Sequence, residues 1–186
     1  MLVDIWYGID NIPADLGPTT VTIGVFDGVH RGHQQLITRA VDHARANDYR
    51  AVMVTFDPHP VSVFLPERAP LAVVTFERRM QLAEEMGIDA VLVIDFTQEL
   101  RGVEPRQYVE DLLVGHLHTK HIVVGENFTF GAGAAGTASA LTEFGAEFGF
   151  DVDIVPLLSD DGERICSTNI RAALDRGDIA RANWAL

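Results

Sequence analysis

Two histidines three residues apart, His30 and His33, stand directly behind an apolar run, Val21 to Phe26, that stops at Asp27-Gly28. Leu36, Ile37, Ala40, Val41 and Ala44 then recur at helical spacing, so the stretch reads as strand, tight turn and helix. Residues three apart share a helix face, and both imidazoles can therefore address one group of ligand atoms. The start of a helix adds unpaired backbone N–H groups and the positive end of its dipole. Gly24, Gly28 and Gly32 leave room for a close approach. The chemistry this suggests is recognition of a nucleotide phosphate. It is neither a Walker loop nor G-x-G-x-x-G. Zinc fits less well, because no H-E-x-x-H is present and Cys166 is the single cysteine.

A second group of this kind lies near the other end, in R-I-C-S-T-N-I-R, Arg164 to Arg171. Ser167 or Thr168 suits a helix N-cap, and Ile170, Ala173 and Leu174 suit the buried stripe behind it. Two hydroxyls and Arg171 on the first turns, with Arg164 just before, make a second anion-binding helix start.

The elements that must position these groups alternate. Strands are expected at Val21 to Phe26, Arg50 to Phe56, Ala90 to Phe96, His121 to Gly125 and Asp151 to Val155. Helices are expected after His33, over Phe76 to Met86, from Glu104-Pro105, from Thr137 to Phe148 and after Ser167. Asp57-Pro58-His59-Pro60 and the stretch after it read as loop, and the Gly/Ala-rich Gly131–Gly136 as a loop that moves on binding. Such alternation implies an α/β fold, a doubly wound, Rossmann-like parallel sheet of about five strands with helices on both faces. Ligands bind beyond the carboxyl ends of its strands.

With 186 residues, 47% of them apolar, the chain is expected to form one domain, residues 1–186. A lone cysteine and no signal peptide suit the cytoplasm. No stretch approaches the ~20 apolar residues of a membrane span. The formal net charge of −13 argues against nucleic acid or an anionic membrane as partner. It also means that a polyphosphate must be held by local donors and a metal cation, not by long-range attraction.

The string G-V-F-D-G-V-H-R-G-H resembles the signature of the H-x-G-H nucleotidyltransferase superfamily, and in its full length that of the bacterial FAD synthetases. T-F-D-P-H-P at Thr55–Pro60, G-E-N-F-T-F-G at Gly125–Gly131 and C-S-T-N-I-R continue the likeness, which runs from about Ile5 to Leu186. The chain departs from the family at Cys166, where a serine is usual, and inside Gly131–Gly136. The resemblance implies an FMN adenylyltransferase that joins FMN to the AMP part of ATP, giving FAD and pyrophosphate with Mg2+. It also implies a riboflavin kinase domain in the parent protein, absent from this chain, which then reads as an excised module or else as a natural single-domain form.

On that resemblance His30 and His33 donate to the α-phosphate, and Arg164, Ser167, Thr168 and Arg171 hold the pyrophosphate. Gly24, Phe26 and Asp27 line the nucleotide pocket through their backbone, and Asn127 reaches the Mg2+ or the FMN phosphate. His30, His33, Asn127 and Arg171 form the catalytic set. The flavin needs an aromatic slot, for which Phe56, His59, Pro60, Phe64, Tyr108, Asn127, Phe128 and Phe130 are available. The alternatives are a related adenylyltransferase or cytidylyltransferase with another phosphate acceptor, and a binding module without turnover.

Overall fold

In a computed structural model of the protein, residues 3–97 and 102–186 are described. Six parallel strands form the central sheet: β1 (Asp4–Tyr7), β2 (Thr19–Ile23), β3 (Arg50–Phe56), β4 (Ala90–Ile94), β5 (Thr119–Gly125) and β8 (Asp151–Val155). The short strands β6 (Thr129–Phe130) and β7 (Gly136–Thr137) pair as a hairpin, as do β9 (Ser159–Asp160) and β10 (Glu163–Arg164). The spatial order in the main sheet is β1-β4-β3-β2-β5-β8. The chain runs from β2 through β3 to β4 on one side, and from β5 to β8 on the other. The order therefore reverses between β2 and β5, and a crevice opens beyond their carboxyl ends.

Alternation along the strands builds both faces. Val21, Ile23, Val52, Val54, Leu92, Ile122 and Val124 point to one side, where Leu112, Leu113 and Leu141 cover them. Ala51, Met53, Val91 and Val93 point to the other, against Ile37 and Ala44 of α1 (Arg31–Asn47) and Met80 and Ala83. Helices thus lie on both faces, and the doubly wound arrangement is the observed one.

Five strands were expected and six are present. β1 is four residues long at the sheet edge and buries only Trp6, too little pattern for periodicity to detect. β2 starts two residues earlier than the apolar run and stops before Gly24, since Phe26 takes a positive φ of 54° in the turn. Its threonines are buried because their hydroxyls are satisfied: Thr19 Oγ1 donates to Leu117 O (2.7 Å) and Thr22 Oγ1 to Val123 O (2.9 Å).

The stretch after the Asp57–Pro60 turn is not a loop throughout. A one-turn helix, α2 (Pro60–Phe64), starts at its proline, where a missing N–H costs nothing. Next come α3 (Phe76–Glu85), and α4 (Pro105–Tyr108), which passes into a π-helix over Val109–His116. Val109, Leu112 and Leu113 are buried there. The Gly131–Gly136 loop is held through its backbone: Ala132 N–H donates to Val103 O (2.7 Å), and β6 pairs with β7.

Two helices close the chain, after α5 (Ala138–Phe148): α6 (Ser167–Asp175) and α7 (Ile179–Ala185). The N-cap of α6 is Cys166 and neither hydroxyl residue; it makes no side-chain capping bond. Leu174 is 39% exposed, so the buried stripe is Ile170 and Ala173, packed on Ala182 and Ala185 of α7.

Within α5, Gly145 sits where a Cβ would stand 2.4 Å from the carbonyl oxygen of Phe150. Gly→Ala inside a helix ordinarily stabilises by ~1 kcal/mol. Here the clash should reverse the sign, and Gly145→Ala should lose about 1–3 kcal/mol in a urea titration.

Candidate active site

α1 begins at the end of the β2 turn, and His30 is its N-cap: the backbone N–H of His33 donates to Nδ1 of His30 (3.3 Å). An Nδ1 that accepts carries no proton, so His30 is a neutral imidazole with its hydrogen on Nε2. The two rings stack, with centroids 3.6 Å apart and planes within 18°. Burial lowers His30 to about 4, against a smaller opposing pull from Asp27. Burial, and then the neighbouring His30, hold His33 well below the usual histidine range. The pair therefore offers hydrogen-bond donors without charge near neutral pH. Nδ1 of His33 is buried with no protein partner. Phe26 packs edge-on against His33, at 5.2 Å between ring centres, and lies beneath Gly24.

α6 brings the second helix start to the same place. His30, His33, Gly24, Phe26, Asn127, Arg164, Ser167, Thr168 and Arg171 all line one cavity of about 650 Å³. Among the described residues, no carboxylate faces it and two guanidinium groups do. The charged side chains of its lining are therefore arginines, although the chain is strongly acidic and one of them, Arg171, is paired with Asp27.

Asp27 is placed differently from its neighbours. Its side chain lies behind the wall of this cavity, 7% exposed, and joins three segments. Oδ2 accepts from Nη1 of Arg171 (2.7 Å), Oδ1 accepts from the Val73 N–H (2.8 Å), and its carbonyl accepts from the Ser167 hydroxyl (2.9 Å).

A second cavity, of about 540 Å³, adjoins the first at Gly24, Phe128 and Thr129. Phe56, Pro60, Tyr108, Phe128 and Phe130 line it, together with Phe96. The rings pack as a set: Phe128 stacks on Phe130 at 5.5 Å, Tyr108 stands 5.5 Å from Phe130, and Phe56 meets Phe96 edge-on at 5.4 Å. Desolvation raises the Tyr108 hydroxyl above its ordinary range and keeps it protonated.

Two residues expected in the aromatic slot, Asn127 and His59, are not among its walls. Asn127 faces the polar cavity. His59 caps α2, accepting from the Val61 N–H at Nδ1 (3.1 Å), and this turns its ring into a smaller cavity with Asp27, Asp57 and Arg79. The side chain of Phe64 lies outside the described residues. Phe96 and Thr129 were missed as wall residues, although both follow carboxyl ends of strands, where the rule for such sheets points. Arg79 was missed too. It is buried and donates from Nη1 to Val25 O (2.6 Å) and to Thr55 Oγ1 (3.3 Å), bracing the turn beneath the cavities. A helical arginine gives no such signal in sequence.

The side-chain oxygens of the polar cavity, among them the amides of Asn127 and Asn169 and the hydroxyls of Thr129, Ser167 and Thr168, are hard and neutral. They fit a magnesium ion that arrives with most of its shell already made of phosphate and water.

The FAD synthetase family matches residues 12–169. A bifunctional riboflavin kinase/FMN adenylyltransferase of Escherichia coli (strain K12) is 35% identical over 166 residues, covering 89% of this chain and 53% of its own length. The protein of that name from Pseudomonas fluorescens is 36% identical over 179 residues, covering 96% and 57%. The chain thus spans a little over half the length of these relatives. Among solved structures, one described as a macrolide-efflux protein from Streptococcus pneumoniae superposes with a TM-score of 0.86 at 26% identity, over 97% of this chain and 60% of that one. No described helix of this chain is long and apolar enough to cross a membrane. A pantoate-β-alanine ligase from Francisella tularensis shares the fold, with a TM-score of 0.59 at 11% identity over 98% and 86% of the two chains. With two helix starts on one polar cavity, an aromatic cavity beside it and a family match over most of its length, the chain belongs to the FAD synthetase family.

Proposed function

We propose that this chain transfers AMP from ATP to FMN, giving FAD and pyrophosphate. The observation that carries the reading is the pair of adjoining cavities, one lined by arginines and paired imidazoles and one walled by aromatic rings, which meet at Gly24, Phe128 and Thr129. A triphosphate suits the first, a flat apolar ring system the second, and the junction is where their phosphates meet.

A phosphate oxygen of FMN attacks the α-phosphorus of ATP in line. The bond to the bridging oxygen of the β-phosphate breaks, and pyrophosphate departs with the electron pair. No covalent enzyme intermediate is required, so positioning and charge stabilisation supply the rate. His30 donates through Nε2–H to an α-phosphate oxygen, a bond that strengthens as charge gathers there. His33 adds a second uncharged donor. Arg171 and Arg164, with the hydroxyl of Thr168, hold the departing group, while the proton of the Ser167 hydroxyl is committed to the Asp27 carbonyl. Magnesium, bound through the phosphates with Asn127, Ser167 and Thr168 within its reach, would neutralise phosphate charge. Phe56, Phe96, Tyr108, Phe128 and Phe130 hold the isoalloxazine. Where a riboflavin kinase domain accompanies this one, as the names of its bifunctional relatives indicate, it would supply FMN, and the reaction would take place in the cytoplasm.

Mixing the protein with ATP, FMN and Mg2+ should release pyrophosphate and form FAD in equal amounts; no release would end the reading. His30→Ala should lower kcat by ~10²-fold or more while KM for ATP changes much less, since the lost bond matters most in the transition state. A kcat within twofold of wild type in steady-state kinetics would remove His30 from the chemistry.

The neutral imidazoles carry a pH signature. His30 titrates near 4 in the folded protein and near 6.5 when unfolded, so between those values the unfolded chain binds more protons. Stability should fall as pH drops from about 6.5 to 4, by at most about 1.4 kcal/mol per pH unit for this group. A bound polyphosphate favours the imidazolium and works against that loss. The rise in Tm produced by pyrophosphate should therefore be larger at pH 5 than at pH 7.5, and the difference should shrink in His30→Ala.

A further inference from the structure

We propose that Asp27 is a positioning residue whose carboxylate stands in for a phosphate at Arg171 in the free protein, and so limits how tightly the polyphosphate is held. The proposal rests on the reading above, in which Arg171 grips the departing pyrophosphate.

The ion pair between Asp27 and Arg171 differs from the others in the molecule. Both side chains are less than a quarter exposed, 9% and 22%, whereas every other ion pair among the described residues has at least one partner more open than that. Its carboxylate is also fixed from behind, because the Val73 N–H holds Oδ1 and the Ser167 hydroxyl holds the carbonyl of the same residue. Asp27 is therefore not free to swing away when a ligand arrives. It sits in a turn whose neighbours Phe26 and Val29 both have positive φ (54° and 43°), which fixes its place further.

Two consequences follow. Arg171 is presented at one address, because Nη1 is tied and the rest of the guanidinium faces the cavity wall it helps to form. Its charge is also largely spent before any ligand binds. An incoming polyphosphate must share this cation with a fixed carboxylate of like charge to itself, in a site sheltered from water where such repulsion is strong. The arrangement trades grip for release: the product is oriented by Arg171 without being held by its full charge. Remove the carboxylate charge, and Arg171 becomes a sheltered cation without a counterion, a costly state that a phosphate would relieve.

Asp27→Asn keeps the oxygen that Val73 needs, removes the charge, and puts an amide NH2 in place of the oxygen that accepted from Arg171, which frees that guanidinium. Calorimetric titration with magnesium pyrophosphate should show at least tenfold tighter binding than wild type, together with a lower KM for ATP. A residue that merely braces the turn would leave affinity unchanged or weaken it, and either result overturns the proposal. Should Asp27→Asn not fold, the pair Asp27→Asn/Arg171→Gln, with both charges gone, is compared with Arg171→Gln alone. The double variant should then bind pyrophosphate more tightly, since the single one leaves a bare carboxylate beside the ligand; equal or weaker binding overturns the proposal. Arg171→Gln itself separates the two levels. Wild-type affinity in that variant would refute the placement of the polyphosphate, and this proposal with it. Weakened affinity there with no tightening in Asp27→Asn would refute the role of Asp27 alone.

Discussion

One hydrogen bond ties the start of α1 to the state of the imidazole that caps it. Nδ1 of His30 accepts from the His33 backbone, which requires that nitrogen to be free of a proton and puts the remaining hydrogen on Nε2. Helix entry, tautomer and donor are thus a single event. The same turn sets His33 one helical step on, close enough for the rings to stack, and the stack penalises charge on either one. The buried turn, the parallel sheet that ends beneath it and the brace from Arg79 to Val25 all serve to keep this cap in place.

The acidity of the chain and the arginine lining of the polar cavity are compatible because the charges are sorted. Most arginines on the outer surface are paired with carboxylates, as Arg39 is with Asp153 and Arg45 with Asp89, leaving the excess negative charge in water. Within the cavity wall the polar side chains among the described residues are arginines, imidazoles, hydroxyls, a thiol and two amides. Attraction for an anion is local, acting over one contact and not over the molecule, consistent with a Debye length of about 8 Å at physiological salt.

Much of this was legible in the residues. A histidine pair behind an apolar run, and a second hydroxyl-and-arginine cluster before an apolar stripe, are local patterns, and each fell on a helix start facing the same crevice. The buried strands β3, β4 and β5 were readable because they are apolar on both faces. What escaped detection depends on partners distant in the chain or on the direction of one ring. Thr19 and Thr22 look polar until Leu117 and Val123 accept from them. Asp27 reads as a turn residue because Arg171 stands 144 positions away. His59 belongs to the T-F-D-P-H-P string, yet capping α2 turns it from the aromatic cavity. Phe96 was counted as the last residue of its strand, although the apolar run already breaks at Asp95, directly after Ile94.

Among the described residues, Gly24, Phe128 and Thr129 line both cavities and so form a shared wall between them. Whatever enters one chamber becomes part of the lining of the other, and a thin partition of this kind transmits occupancy. The first guest changes the second guest's affinity by some factor, and by thermodynamic necessity the second changes the first's by the same factor. Mutual dependence of the two guests, a property usually sought in moving parts, is thereby built into a shared wall.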